Sequence, residues 1–136
     1  MRAVNRLVFA AAFLGWLLCF GVMGMGMAVT SLDNALIVHA IAAPLIFASI
    51  SAAYFSRVPT AAPTATALIF VAFVVSMDLG VVAILINRSL DMFASPLGTW
   101  IPFGLIFAST YVTGRVVRSR IRSVRSRASA SQGMAG

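Results

Sequence analysis

Residues 64–86 read TATALIFVAFVVSMDLGVVAILI, and Asp78 is the single charged residue in the run. An α-helix needs about 20 apolar residues to cross a bilayer, so this stretch is long enough to span one. A carboxylate near the middle of such a helix costs roughly 2.5–3.5 kcal/mol on insertion scales unless it faces protein or water. Asp78 is therefore expected to point inward, at a partner on a neighbouring helix.

The rest of the chain agrees with that reading. Of its 136 residues, 61% are hydrophobic, against about 45–50% in soluble domains, and the mean hydropathy is +1.02. A net charge of +7 spread over a globular face would point to nucleic acid. Six of the ten arginines follow Gly114, however, so the charge belongs to a tail and no nucleic-acid partner is expected. The lone cysteine, Cys19, has no intrachain disulfide partner. The sequence holds no phosphate-cradling glycine loop, no HExxH, no nucleophile elbow and no second acid placed for acid–base work, which argues against an enzyme. No cofactor is expected.

In chain order, MRAVNR at 1–6 is a basic leader, and the apolar run at 7–29 exceeds the usual core of a signal peptide. The run predicts an uncleaved first helix. TSLDN at 30–34 is a turn in which Asp33 or Asn34 caps the next helix. That second helix contains Pro44. SRVPTAAPT and NRSLDMFA make the later loops, and Ser95-Pro96 signals a helix start. The predicted fold is an all-α integral membrane protein, a four-transmembrane-helix up-down bundle with helices at about 7–30, 35–55, 64–86 and 96–114. A basic amphipathic cytoplasmic extension at 115–127 and a disordered tail at 128–136 complete it.

Arginine placement orients the bundle. With both termini cytoplasmic, nine arginines lie inside (Arg2, Arg6, Arg57 and the six of the tail) and only Arg88 outside, as expected of a multi-pass protein of the cytoplasmic (inner) membrane. Trp100 and Phe93 suit the outer interface and Tyr54 and Tyr111 the inner one, whereas Trp16 sits too deep for such a belt.

Two fragments recur. SLD stands at 31–33 and 89–91, and LIFAS at 45–49 and 105–109, each LIFAS after a proline (Pro44, Pro102). A shift of 59 also lays Gly21-Val22 on Gly80-Val81. These are the marks of a tandem duplication of a helical hairpin, with the halves related by an axis along the membrane normal. In that alignment Cys19 falls opposite Asp78, and at a shift of 60 Thr99 falls opposite His39.

The chemistry-bearing residues converge on one buried polar site, expected to comprise His39, Asp78 and Thr99. His39 and Asp78 should differ in depth by roughly 5 Å, within hydrogen-bonding reach, and an imidazole with a carboxylate can relay protons. The leading functional expectation is proton-linked movement of a small solute or ion. One alternative is a non-enzymatic accessory or assembly subunit of a membrane complex, in which the pair fixes helix order. Another is metal or haem handling, with Met23, Met27 and His39 as soft ligands suited to Cu(I). A homo-oligomer or a membrane-complex partner is expected. In the tail, Arg115, Arg118, Arg122 and Arg125 share one face of a helix, placed to contact anionic lipid headgroups.

Overall fold

The structure, a computed structural model, describes residues 2–87, 94 and 96–134. Arg88, Phe93, the second SLD at 89–91 and Ser95 lie outside them. The described residues hold four α-helices: α1 (Arg2–Val29), α2 (Leu32–Arg57), α3 (Pro63–Met77) and α4 (Ile101–Met134). α3 runs directly into a π-helical segment, Asp78–Asn87, and a π-helical turn, Pro96–Trp100, leads into α4. Among the described residues, three stretches are long and apolar enough to cross a membrane: Arg6–Val29, Leu32–Arg57 and Pro63–Leu85. α4 differs because it meets Arg115 about four turns after its start.

Local sequence explains the helix ends. α2 is capped by Ser31, whose extended backbone (φ −72°, ψ 159°) lets its Oγ accept from the Asn34 N–H. The expected caps, Asp33 and Asn34, take other roles. Asp33 lies in the first turn, where its charge complements the helix dipole, and the Asn34 amide donates to Thr30 Oγ1 at 3.1 Å. α3 opens on Pro63, whose missing N–H removes nothing a first turn needs. α2 continues through Pro44 without ending. Residues 128–134, read from composition as disordered, continue α4 as helix. Alanine favours that state, and Ser129 and Ser131 donate back to the Arg125 and Ala128 carbonyls.

The helices form a ring in the order α1, α2, α4, α3, each packing on two neighbours. Contacts fix their directions. Gly26 meets Ala35 and Gly15 meets Phe47, so α1 and α2 are antiparallel. Phe9 meets Phe73 and Trp16 meets Asp78, both advancing the same way, so α1 and α3 run parallel. Ser51 meets Thr110 and Phe55 meets Gly114, so α2 and α4 are parallel too. The diagonals are therefore α1 to α4 and α2 to α3. An axis along the membrane normal exchanging the two hairpins would put α1 diagonal to α3, so the packing lacks the symmetry that the repeated fragments imply.

Aromatic rings fill the axis. Phe47, Phe55 and Phe70 are fully buried. The ring of Phe70 lies 5.7 Å from that of Phe47 and 6.2 Å from that of Tyr54, joining α3 to α2 across the diagonal. Tyr54, expected at an interface, is instead a core residue. Outside, the surface is apolar. Phe9, Leu14 and Leu18 of α1, Val38, Ile41 and Leu45 of α2, and Leu68, Ile84 and Leu85 after Pro63 are all exposed. Such a surface is stable only where the surrounding medium is itself apolar, and this associates the protein with a membrane.

Candidate polar site at the α1–α3 seam

Trp16 lies in the middle of α1, and the wheel of that helix turns it inward together with Val8, Ala12 and Cys19. A buried indole N–H needs an acceptor. It finds one on the parallel neighbour, donating from Nε1 to Asp78 Oδ1 at 2.9 Å. Asp78 is the first residue of the π-helical segment, and its own N–H is shared between the Val74 and Val75 carbonyls. The helix widens where the carboxylate turns toward α1, and π-helical turns occur frequently at functional sites.

Asp78 is half-buried, and its second carboxylate oxygen takes no hydrogen bond among the described residues. The carboxylate lies close enough to Cys19 for its charge to act on the buried thiol. Cys19 in turn reaches the third helix, because the His39 imidazole on α2 meets its backbone. His39 Nδ1 is buried with no hydrogen-bond partner among the described residues. The polar groups thus run from Asp78 through Trp16 and Cys19 to His39, across α3, α1 and α2.

The expected His39–Asp78 hydrogen bond is replaced by this arrangement. Asp78 bonds to Trp16, and α2 stands diagonal to α3, so His39 approaches from the far side of Cys19. Thr99 is buried in the π-helical turn that packs on α2. Trp16 is the member of this polar group that the sequence left without a role. Its depth carried the signal, since an indole too deep for the interface must satisfy its N–H inside.

Aromatic side chains flank the indole that holds the acid. The Trp16 ring stacks on Phe20 at 5.4 Å and lies 6.0 Å from Phe13. A turn and a half along the seam, Phe9 of α1 meets Phe73 of α3 at 6.2 Å. Of the soft ligands weighed with His39, Met27 is 56% exposed on the outside of α1 and Met23 is half-buried. No group of three or more His, Cys, Asp or Glu gathers among the described residues. In the tail, Arg115, Arg122 and Arg125 are exposed and Arg118 is half-buried, and the Arg115 guanidinium sits 5.9 Å above the Tyr111 ring.

No family model, curated protein or solved structure matches the chain. The site's chemistry is that of one carboxylate without a basic partner among the described residues, an unpaired imidazole nitrogen one helix away, and an apolar aromatic rim. It can hold and release a proton, or hold a cation in its place.

Proposed function

We propose that the chain is a four-span protein of the cytoplasmic membrane, with both termini in the cytosol, that moves a small solute or ion in exchange with or alongside protons through Asp78 and His39. The observation that carries this reading is the bond between Trp16 and Asp78, which holds an intramembrane carboxylate at a helix seam with one oxygen still open. A carboxylate kept for packing alone would be matched by a cation or fully enclosed, because the cost of burying it otherwise persists. His39 Nδ1 supports the same reading as a second proton-binding atom held without a partner.

Four spans follow if the π-helical turn at Pro96–Trp100 and the apolar start of α4 cross together, and the distribution of arginines supports that orientation. Arg115, Arg118, Arg122 and Arg125 then meet the anionic headgroups of the inner leaflet.

The test uses purified protein in liposomes with a trapped pH-sensitive dye. Proton movement is followed while sodium, potassium, amino acids and organic amines are added outside one at a time. The parent is expected to show solute-dependent proton flux, Asp78→Asn to abolish it, and His39→Ala to slow it. Fluxes in both variants equal to the parent's would overturn the reading.

A further inference from the structure

The aromatic seam between α1 and α3 narrows the class of solute, and this step rests on Asp78 being the polar centre of the proposed transport site. We infer that the seam binds a hydrophobic organic monocation, with its charge against the open oxygen of Asp78 and its apolar body against Phe9, Phe13, Phe20 and Phe73.

The sign of the charge comes first. Asp78 is the only charged residue in the third span, and the arginines of the first two spans stand at their ends, as Arg6 and Arg57. No ligand of negative charge gains from such a site, and one carboxylate matches one positive charge.

The rim decides between a metal ion and an organic cation. Hard cations such as calcium or magnesium take about six or more oxygen ligands. The hydrogen-bond partner of Asp78 is instead an indole, itself flanked by the phenyl rings of Phe13 and Phe20, with the Cys19 thiol within reach of the carboxylate's charge. Ring faces attract ammonium-type cations, and phenyl surface covers the rest of an apolar ligand. The route is also visible. Phe9, Phe13 and Phe20 are 52%, 45% and 39% exposed, so the rim opens onto the same surface that faces lipid. A hydrophobic cation dissolved in the membrane meets the rings before it meets the acid.

The experiment reads Trp16 itself. The chain has two tryptophans, so Trp100→Phe leaves Trp16 as the sole indole. In nanodiscs, that protein is titrated with tetraphenylphosphonium and, separately, with tetraphenylborate, which has nearly the same shape and the opposite charge. Saturable quenching by the cation alone is expected, with apparent affinity falling at least ten-fold in Asp78→Asn. Equal responses to the two ions, or equal affinity in parent and Asp78→Asn, would overturn the inference. If Asp78→Asn does not give a monodisperse protein, Phe13→Leu with Phe20→Leu decides instead: several-fold weaker quenching supports the site, and parent-like quenching removes it. The outcome is separable from the transport reading. Proton flux that needs Asp78 without cation binding defeats only this inference, and binding without flux defeats only the other.

Discussion

Trp16 and Asp78 lie 62 positions apart in the chain and share a hydrogen bond of 2.9 Å that ties the middle of α1 to the point where α3 turns π-helical. Trp16→Phe keeps an aromatic ring, though a smaller one, and removes the donor, leaving a partly buried carboxylate oxygen unsatisfied. The loss should be about 1–3 kcal/mol. Asp78→Asn should cost less, because an amide oxygen still accepts from the indole. Unfolding in mixtures of dodecyl maltoside and dodecyl sulfate measures both. A Trp16→Phe midpoint equal to the parent's would mean that the bond contributes nothing.

Glycines at two crossings admit buried phenylalanines. A β-carbon on Gly15 would lie 2.6 Å from the tip of the Phe47 ring, and one on Gly114 would lie 2.6 Å from Phe55 Cε2 and 2.9 Å from Pro63 Cβ. Both rings are 0% exposed and have no room to retreat. Gly15→Ala and Gly114→Ala should therefore destabilise by about 1–3 kcal/mol through overpacking. A β-carbon on Gly21 or Gly24, also in α1, would meet nothing within 4 Å, and alanine there should be neutral or stabilising. Thermal melts of the four variants that failed to separate in this way would contradict the packing.

Hydropathy made the helices legible because it is a property of each stretch taken alone. The three long spans, the position of Asp78 and the basic extension all follow from it. The partner of Asp78 does not, because it depends on which helices are neighbours. Pairing Asp78 with His39 assumes that α2 and α3, consecutive in the chain, also touch along the seam. The ring order instead seats α3 beside α1 and sends α2 to the diagonal, so the acid meets Trp16. The recurring fragments likewise do not specify which helices are neighbours. They align residues in sequence, whereas the helices pack with like beside like, α1 with α3 and α2 with α4.

Between α2 and α4, Ser51 Oγ donates to Thr110 Oγ1 at 3.2 Å, and both residues are fully buried. Hydrogen bonds between membrane helices average about 0.6 kcal/mol, with a maximum near 1.7. Ser51→Ala and Thr110→Val should each cost about that much, and the double variant should cost little more than either single one. Fully additive losses in a double-mutant cycle would show that the two hydroxyls do not interact.

The tail offers the last prediction. Beyond Gly114 the apolar face of α4 continues as Val117, which packs on the core, then half-buried Ile121 and exposed Val124. No acidic residue follows Gly114, and Ser119, Ser123 and Ser126 turn their hydroxyls back onto helix carbonyls. The guanidinium groups are thus the main polar surface offered to the surroundings. If they hold anionic headgroups, each contributes about 1 kcal/mol near the membrane surface. Replacing Arg115, Arg118, Arg122 and Arg125 with glutamine keeps helix propensity nearly constant and removes four charges. Spin-labelled phosphatidylglycerol should be immobilised around the parent in preference to phosphatidylcholine. That preference should fall several-fold in the quadruple variant, and should weaken in the parent at about 1 M salt, where screening shortens to about 3 Å. An unchanged preference in the variant would remove the tail from lipid recognition and leave it the role of fixing topology.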